Sequence, residues 1–190
     1  VIEQFTAFVK SFRKYNPELP LTVIQFDDNI QKLTSLSKQY NFKIWQSEFA
    51  HELSEIGSCF EPTNKTLAKL FKKLSAFWGE YDTFIFWDSD VVVLDNITPI
   101  LNKFEAHNAR VIYFDFDINY VYNPGKLREK MSEGGNSAHM NTGTFGSKKN
   151  AVTIADVREI MQGFDTFKDE LWNIGEQPFI NYCCDVKHLE

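Results

Sequence analysis

The sequence predicts an α/β fold in which helices flank a mostly parallel sheet. Helical patterns of apolar residues alternate along the chain with short apolar runs of strand length, the order typical of such sheets. Acidic residues follow several of these runs, where open α/β sheets bind their ligands. Of the 190 residues, 43% are hydrophobic, which is enough for the full core of a single domain. Eighteen phenylalanines predict an aromatic interior.

The first half of the chain is expected to alternate between helices and strands. Apolar residues at positions 1, 2, 5, 8, 9 and 12 predict an amphipathic first helix, which Asn16 and Pro17 end. Asn29 is the expected cap of the second helix, and Thr63 or Asn64 that of a later one. The predicted helices span residues 1–15, 30–40 and 65–78, the strands 21–26, 41–45 and 83–87, and residues 51–62 read as loop with some helix.

The second half continues the alternation with more turn signals. Pro99 is tolerated in the first turn of a short helix, Gly163 stops a later one, and Pro178 lies in the first turn of the last. Residues 134–137 read as a flexible break over a site. The predicted helices span 96–105, 126–131, 150–161 and a segment opening at 175, and the strands span 110–114, 140–147 and 183–186.

Two carboxylates, Asp88 and Asp90, follow the predicted central strand and precede the apolar run 91–94. Side chains alternate in an extended chain, so both acids are expected on one side. Hard cations such as Mg²⁺ and Mn²⁺ prefer carboxylate oxygens, water and substrate phosphates. Paired acids more often end a strand in a solvated turn, but the apolar runs on both sides favour a partnered charge here.

Charge and cysteine content limit the partners of the chain. The net charge of −6 argues against a nucleic-acid partner, whereas an anionic nucleotide can still bind where a metal ion supplies positive charge. The three cysteines do not form a disulfide framework and are expected to be free thiols, as in a reducing compartment. No apolar run reaches the ~20 residues that span a bilayer. We therefore expect a cytoplasmic location, or the Golgi lumen if an N-terminal anchor was removed.

Four segments together resemble the nucleotide-sugar glycosyltransferases of the GT-A fold, in particular the glycogenin and galactosyltransferase-like group, family eight. They are the helix at 65–78, FIFWDSDVVVLDNI at 84–97, MNTGTFGSKKN at 140–150 and GEQPFINY at 175–182. The resemblance covers about residues 21–182. It implies one Rossmann-like GT-A domain over residues 1–190, lacking the first strand and the C-terminal segment of the family.

The resemblance implies a glycosyltransferase that moves a hexose from a nucleotide diphosphate sugar, with UDP-hexose favoured, to a sugar or glycan acceptor. In such a protein Asp88 and Asp90 bind Mn²⁺ or Mg²⁺, and Ser89 lies near the ribose. A metal at this place stabilises the charge that develops on the leaving nucleotide. Lys72 or Lys73 contacts the donor, and one sequence leaves that choice open.

The resemblance also assigns the sugar pocket. Asp115 would accept hydrogen bonds from donor-sugar hydroxyls, and Glu176 and Gln177 take the place of the catalytic Asp-Gln pair of the family. Glutamate is one methylene longer than aspartate, which changes its reach toward the anomeric carbon. Members of the family retain the anomeric configuration without an agreed enzymic nucleophile, so the resemblance assigns these two residues sugar binding and electrostatic support. The sugar pocket would further be lined by Asn141, Thr142 and Gly143.

Two other functions are compatible with the sequence, and one segment of the family pattern is absent from it. Asp88, Asp90 and Val92 also match the signature of a haloacid-dehalogenase-type phosphatase with Asp88 as the nucleophile, although 87 residues precede it. A relative that binds a sugar nucleotide without turnover is the other alternative. The late His-x-x-Gly segment of the family, which supplies a third metal ligand, is absent, and His188 lacks the following glycine.

Overall fold

The computed structural model describes residues 2–27, 30–133, 139–172 and 175–189. The predicted Asn29 cap and the break at 134–137 lie outside these residues. The described helices are α1 (Ile2–Tyr15), α2 (Gln31–Tyr40), α3 (Ala50–Phe60), α4 (Lys65–Ala68), α5 (Thr98–Ala106), α6 (Lys126–Ser132), α7 (Ile154–Gln162), α8 (Phe164–Phe167) and α9 (Glu176–Val186). Short 3₁₀ helices span Lys69–Trp78, Ile118–Tyr120 and Lys168–Glu170.

The described strands form two small sheets. In the first, β1 (Thr22–Ile24) pairs in parallel with β2 (Lys43–Trp45). In the second, β5 (Thr144–Lys148) lies between β3 (Thr83–Trp87) and β4 (Val111–Tyr113). The α/β class is therefore confirmed.

The prediction of a mostly parallel sheet is wrong for the three-stranded sheet, because β5 is antiparallel to both of its neighbours. β3 and β4 run in the same direction with α5 between them, as the alternation of strand and helix predicted. β5 returns through the gap between them, with Gly146 opposite both Ile85 and Ile112. A Cβ atom on Gly146 would lie 2.7 Å from Cγ1 of Ile112, so glycine permits this insertion.

Two hydrophobic clusters hold the layers together. The larger one packs α3, α9 and the 3₁₀ helix Lys69–Trp78 against the three-stranded sheet. It contains stacked or tilted rings of Phe60, Phe71 and Phe179. The smaller one packs α1 against the two-stranded sheet. Trp87, at the end of β3, contacts the rings of Phe8 and Phe12. The end of β3 is thus fixed by contacts with the second cluster.

The strand predicted at 183–186 is wrong, since this region is helical. The prediction of loop with some helix at 51–62 is confirmed for the helix but underestimates it, since α3 extends to Phe60. In α3, Leu53, Ile56 and Phe60 are buried at helical spacing. The Cys183 and Cys184 side chains are buried within α9. Tertiary packing selected helix for 183–186, because a short apolar run suits either helix or strand.

The helix predicted at 65–78 changes geometry after its first turn. Asn64 caps α4, accepting hydrogen bonds from the amides of Thr66 and Leu67 at 3.1 and 3.2 Å. From Lys69 the chain continues as a 3₁₀ helix to Trp78. A Cβ atom on Gly57 of α3 would lie 2.1 Å from the Ala68 carbonyl oxygen. The two helices therefore cross at backbone contact.

The cysteines are free thiols, as predicted: Cys59 is exposed, and Cys183 and Cys184 are buried. Burial raises the pKa of the Cys183 and Cys184 thiols, so both are neutral packing groups. None of the helices in the described part of the chain is long and apolar enough to span a membrane.

A capping box fixes the start of α7, and its loss has a predictable cost. Asp156 accepts hydrogen bonds from the amide and hydroxyl of Thr153, which in turn accepts one from the Asp156 amide, and Asp156 pairs with Lys187 at 2.8 Å. Burial raises the pKa of Asp156, but the hydrogen bonds from Lys187 and Thr153 outweigh it and hold the pKa below its usual value. We expect Asp156→Ala to lower the free energy of unfolding at neutral pH by about 1 kcal/mol.

The sign of the pH dependence follows from the lowered pKa. The stability contributed by Asp156 is present above the ordinary carboxyl pKa and is lost as the pH falls through the folded-state pKa. Urea unfolding at pH 7 and at about pH 3 should therefore show the difference between wild type and variant narrowing at the lower pH. Asp165→Ala, which removes an exposed ion pair with Lys168, is the control and should have almost no effect. An equal difference at both pH values would contradict the prediction.

Candidate functional site

The first of the two acids is anchored to the sheet where β3 ends. The amide of Asp88 donates to the Gly143 carbonyl at 2.8 Å, extending the contact between β3 and the segment before β5. Asp88 is half-buried, whereas Ser89 and Asp90 are exposed. The apolar run 91–94 that follows is not a strand. Asp88 is therefore fixed by the sheet edge, and Asp90 lies at the surface of the loop.

A buried lysine ammonium lies between two carboxylates. Lys73 has a side chain only 5% exposed, and its Nζ is 3.1 Å from Oδ1 of Asp88 and 3.1 Å from Oε1 of Glu176. It also donates to the Thr142 carbonyl at 3.3 Å and lies 5.3 Å from the centre of the Phe86 ring. Lys73 joins the 3₁₀ helix, the end of β3, the segment before β5 and the start of α9.

The neighbouring Lys72 makes a different contact. Lys72 is half-buried, and its Nζ donates to the Phe26 carbonyl at 2.8 Å, in the segment that follows β1. The tertiary structure thus separates two lysines that the sequence left as alternatives. Lys73 reaches Asp88, and Lys72 contacts the chain beyond the two-stranded sheet.

The charge on Asp88 is incompletely balanced. Burial raises the pKa of Asp88, the Lys73 ammonium opposes this, and the Glu176 and Asp90 carboxylates raise it further. The net direction is upward. Asp88 and Glu176 share the Lys73 ammonium, and Asp90 adds a third carboxylate whose charge acts on Asp88. An additional positive charge would stabilise the ionised forms of these acids.

The segment that precedes β5 forms one wall of the site. Oδ1 of Asn141 accepts a hydrogen bond from the Gly143 amide at 2.9 Å, and the Asn141 amide donates to the Asp115 carbonyl at 2.9 Å. A Cβ atom on Gly143 would lie 3.0 Å from Oδ1 of Asn141 and 3.3 Å from Oδ2 of Asp88. Glycine at this position therefore keeps the approach to the Asp88 carboxylate open. Among the residues that the structure describes, none is a hydrogen-bond partner of the buried Thr142 hydroxyl.

The first turns of α9 hold this wall in place. Oε1 of Gln177 accepts from the Thr142 amide at 3.2 Å. The buried Asn181 accepts from the Met140 amide at 2.6 Å and donates to the Met140 carbonyl at 2.9 Å, as a paired strand would. Asn181 was not among the residues predicted from the sequence. Its spacing of four residues from Gln177 on the predicted helix is the signal that could have found it.

A cavity of about 480 Å³ opens beside these residues. Five of the predicted site residues line it. Four more lie behind the lining and contact it or one another. The lining residues are Asp88, Asp90, Val91, Phe114, Asp115, Asn141, Gly143 and Thr144. The residues behind the walls are Lys73, Thr142, Glu176 and Gln177.

The donor set fits a divalent cation held by few protein ligands. Within residues 2–27, 30–133, 139–172 and 175–189, no three His, Cys, Asp or Glu side chains come together as a metal site. His188 lies beyond the C-terminal end of α9, roughly 18 Å along the chain from Glu176 at 1.5 Å per helical residue, and does not complete one. Asp88 and Asp90 line the same cavity. Mg²⁺ and Mn²⁺ are commonly held by one or two carboxylates with water and substrate phosphates.

Comparison with known proteins gives one match. The model of the family described as "Glycosyl transferase family 8" matches residues 4–190. No curated protein and no solved structure matches the chain. The matched residues include every predicted site residue and all residues that line the cavity.

Proposed function

Because the chain belongs to glycosyltransferase family 8, we propose that it transfers a hexose from a nucleotide diphosphate sugar, UDP-hexose in the first instance, to a sugar or glycan acceptor. Membership of the family implies a GT-A type fold and a nucleotide-sugar donor. The observation that carries the proposal is the cluster of Lys73, Asp88 and Glu176 beside a cavity lined by Asp90 and Asp115.

Asp88 and Asp90 would hold Mn²⁺ or Mg²⁺ against the diphosphate of the donor. When bound, the cation would stabilise the negative charge that develops on the leaving nucleotide. The surplus of carboxylates over ammonium groups in the cluster supports this assignment. Ser89, exposed between the two acids, is assigned a contact with the ribose.

The sugar of the donor would lie against the wall formed by Asn141, Thr142 and Gly143. Gly143 leaves space beside the Asp88 carboxylate. Asp115, which also lines the cavity, would accept hydrogen bonds from sugar hydroxyls. Lys73 is assigned the donor-lysine role because its ammonium contacts Asp88, whereas Lys72 contacts Phe26.

Glu176 and Gln177 would support the reacting sugar electrostatically. The longer side chain of Glu176 reaches Lys73 at 3.1 Å, so its carboxylate is held by a buried cation. Gln177 fixes the Thr142 amide at 3.2 Å. Both residues follow Gly175 at the start of α9, and loss of either side chain would disturb the wall of the sugar pocket.

The family match argues against one of the two alternative functions and leaves the other to be tested. The haloacid-dehalogenase-type phosphatase with Asp88 as nucleophile is not supported, because the chain belongs to a glycosyltransferase family. Binding of a sugar nucleotide without turnover is an outcome of the experiment below.

The test is a comparison of wild-type melting temperatures with UDP-glucose and UDP-galactose, each with Mn²⁺ and with EDTA. At a donor concentration of about one hundred times Kd, binding adds ~2.7 kcal/mol to the folded state and should raise the melting temperature by roughly 5–10 °C. A Mn²⁺-dependent shift with slow sugar release is expected. A shift without any sugar release on long incubation identifies a non-catalytic binder, and no shift with either donor contradicts the proposal.

A further inference from the structure

Exposed aromatic side chains lie at the end of β4 and in the chain that follows it. We call residues 113–120 the aromatic segment. Phe116 is 67% exposed and Tyr120 is 52% exposed. Tyr113 and Phe114 in the same segment are also exposed. Folded proteins expose contiguous apolar surface of this kind mainly where a ligand or partner binds.

Three contacts join the aromatic segment to the cavity. Phe114 is itself part of the cavity lining. Phe116 forms an antiparallel bridge with Met140, the residue before Asn141. The Tyr120 carbonyl accepts a hydrogen bond from Nε2 of Gln177 at 3.4 Å. The segment therefore runs beside the proposed donor site, with Phe114 at the cavity and the backbone of Phe116 and Tyr120 bonded to residues of its supporting wall.

The rings are supported at their edges. The rings of Tyr113 and Phe116 meet at 71° with centroids 5.8 Å apart, and those of Tyr120 and Trp172 meet at 82° with centroids 5.1 Å apart. Such edge-to-face contacts hold a ring without stacking a second ring on it. The exposed area of Phe116 and Tyr120 is thus available to a flat apolar ligand surface.

The charges of the segment favour a neutral, hydroxyl-bearing ligand. Asp115 and Asp117 alternate with the aromatic residues, and Asp88 and Asp90 lie in the adjoining cavity. Carboxylates accept hydrogen bonds from hydroxyl groups and repel phosphate or sulfate groups. A pyranose ring has an apolar C–H face that suits an aromatic ring, and hydroxyls at its rim that suit carboxylates.

We propose that the aromatic segment binds the acceptor and that the acceptor is a neutral oligosaccharide, with pyranose rings stacked on Phe116 and Tyr120. This inference rests on the proposed glycosyltransferase function and adds the class of acceptor and the residues that select it. Binding on this segment places the end of the sugar chain at Phe114, next to the cavity in which the donor hexose would lie.

The experiment is a calorimetric titration of the protein, saturated with UDP and Mn²⁺, with maltohexaose, cellohexaose and xylohexaose. We expect at least one of these to bind, and Phe116→Ala and Tyr120→Ala each to raise its Kd about tenfold through loss of stacking and apolar contact. Tyr120→Phe keeps the ring and should retain the wild-type Kd. Ile100→Ala, on an exposed apolar residue of α5 that does not line the cavity, is the control for surface apolarity.

The outcomes separate this inference from the function on which it rests. If the wild type shows the Mn²⁺-dependent UDP-hexose shift but none of the three oligosaccharides binds, or Phe116→Ala and Tyr120→Ala leave the Kd unchanged, the acceptor inference fails alone. Binding of a hyaluronan hexasaccharide or of phosphatidylserine vesicles in preference to the neutral sugars also overturns it. If the wild type shows no donor shift, the proposed function fails first. Circular dichroism of each variant excludes unfolding as the cause of a weaker Kd.

Discussion

Replacing Asp88 with asparagine is expected to abolish the Mn²⁺-dependent stabilisation of the protein by a UDP-hexose. The substitution keeps the size of the side chain and removes the charge that would hold the cation. Transfer activity should fall by about 10²-fold or more, because the charge on the leaving nucleotide is no longer stabilised. The same loss is expected for Asp90→Asn.

The fold should tolerate both changes. Burial raises the pKa of Asp88 in spite of the nearby Lys73, so the ionised carboxylate lowers the stability of the folded state at neutral pH and its removal does not unfold the protein. Asp90 is exposed. Unfolding in urea without ligand checks this part of the prediction.

Asp82→Asn is the matched control for both variants. Asp82 is an exposed acid just before β3, roughly 20 Å from Asp88 at ~3.3 Å per strand residue. The Asp82→Asn variant should retain the Mn²⁺-dependent rise in melting temperature with a UDP-hexose, and it should retain the transfer activity. If Asp88→Asn or Asp90→Asn behaves like Asp82→Asn, the metal assignment is wrong.

Replacing Lys73 with methionine is expected to damage both stability and activity. The Lys73 ammonium is buried within 3.1 Å of both Asp88 and Glu176, and its removal leaves two carboxylates without their shared cation. Removing one partner of a fully buried pair costs about 3–5 kcal/mol. The Asp88 side chain is 42% exposed, so we expect a smaller loss here, about 2 kcal/mol in the free energy of unfolding.

The loss should depend on pH in a defined direction. Lys73 lowers the pKa of Asp88, so the variant raises that pKa further and ionised Asp88 destabilises its folded state more. This penalty is present at neutral pH and disappears as the pH falls below the ordinary carboxyl pKa of ~4, where the carboxyl is protonated in both states. The difference between wild type and variant in urea unfolding should therefore shrink from pH 7 to about pH 4.

Lys72→Met provides the comparison on the adjacent residue. Its ammonium is exposed and donates to the Phe26 carbonyl, so the free energy of unfolding should change by less than about 0.5 kcal/mol. Donor binding, measured by the same melting-temperature shift, should be lost in Lys73→Met. Equal stability losses in both variants, or an unchanged donor shift in Lys73→Met, would show that Lys73 does not bridge the site.

Much of the fold could be predicted from local patterns. The amphipathic spacing of the first helix, the cap at Asn64, the strand Thr83–Trp87 and the stop at Gly163 are confirmed. The patterns failed where an element is short and buried on several sides. The end of α9 has no clear polar face, and only the packing of neighbouring layers selects helix over strand there. In α3 the helical spacing of Leu53, Ile56 and Phe60 was present in the sequence.

The candidate site was predicted in part for the same reason. Asp88 and Asp90 were evident because charges lay between apolar runs, and Gly143 because a glycine interrupted a strand. The choice between Lys72 and Lys73 could not be made, since it depends on the phase of a helix that changes from α to 3₁₀ geometry at Lys69. Asn181 was missed because its partners are backbone groups of Met140, distant in the chain.

The sequence by itself determined the α/β class, the strand that carries the two acids and the residue types available for a cation and a sugar, because these depend on local periodicity and chemistry. Only the tertiary structure decided that β5 inserts antiparallel between β3 and β4, that Lys73 rather than Lys72 meets Asp88, and that α9 supports the segment before β5. These outcomes depend on contacts between residues that are tens of positions apart, and the most stable packing of whole layers selects them.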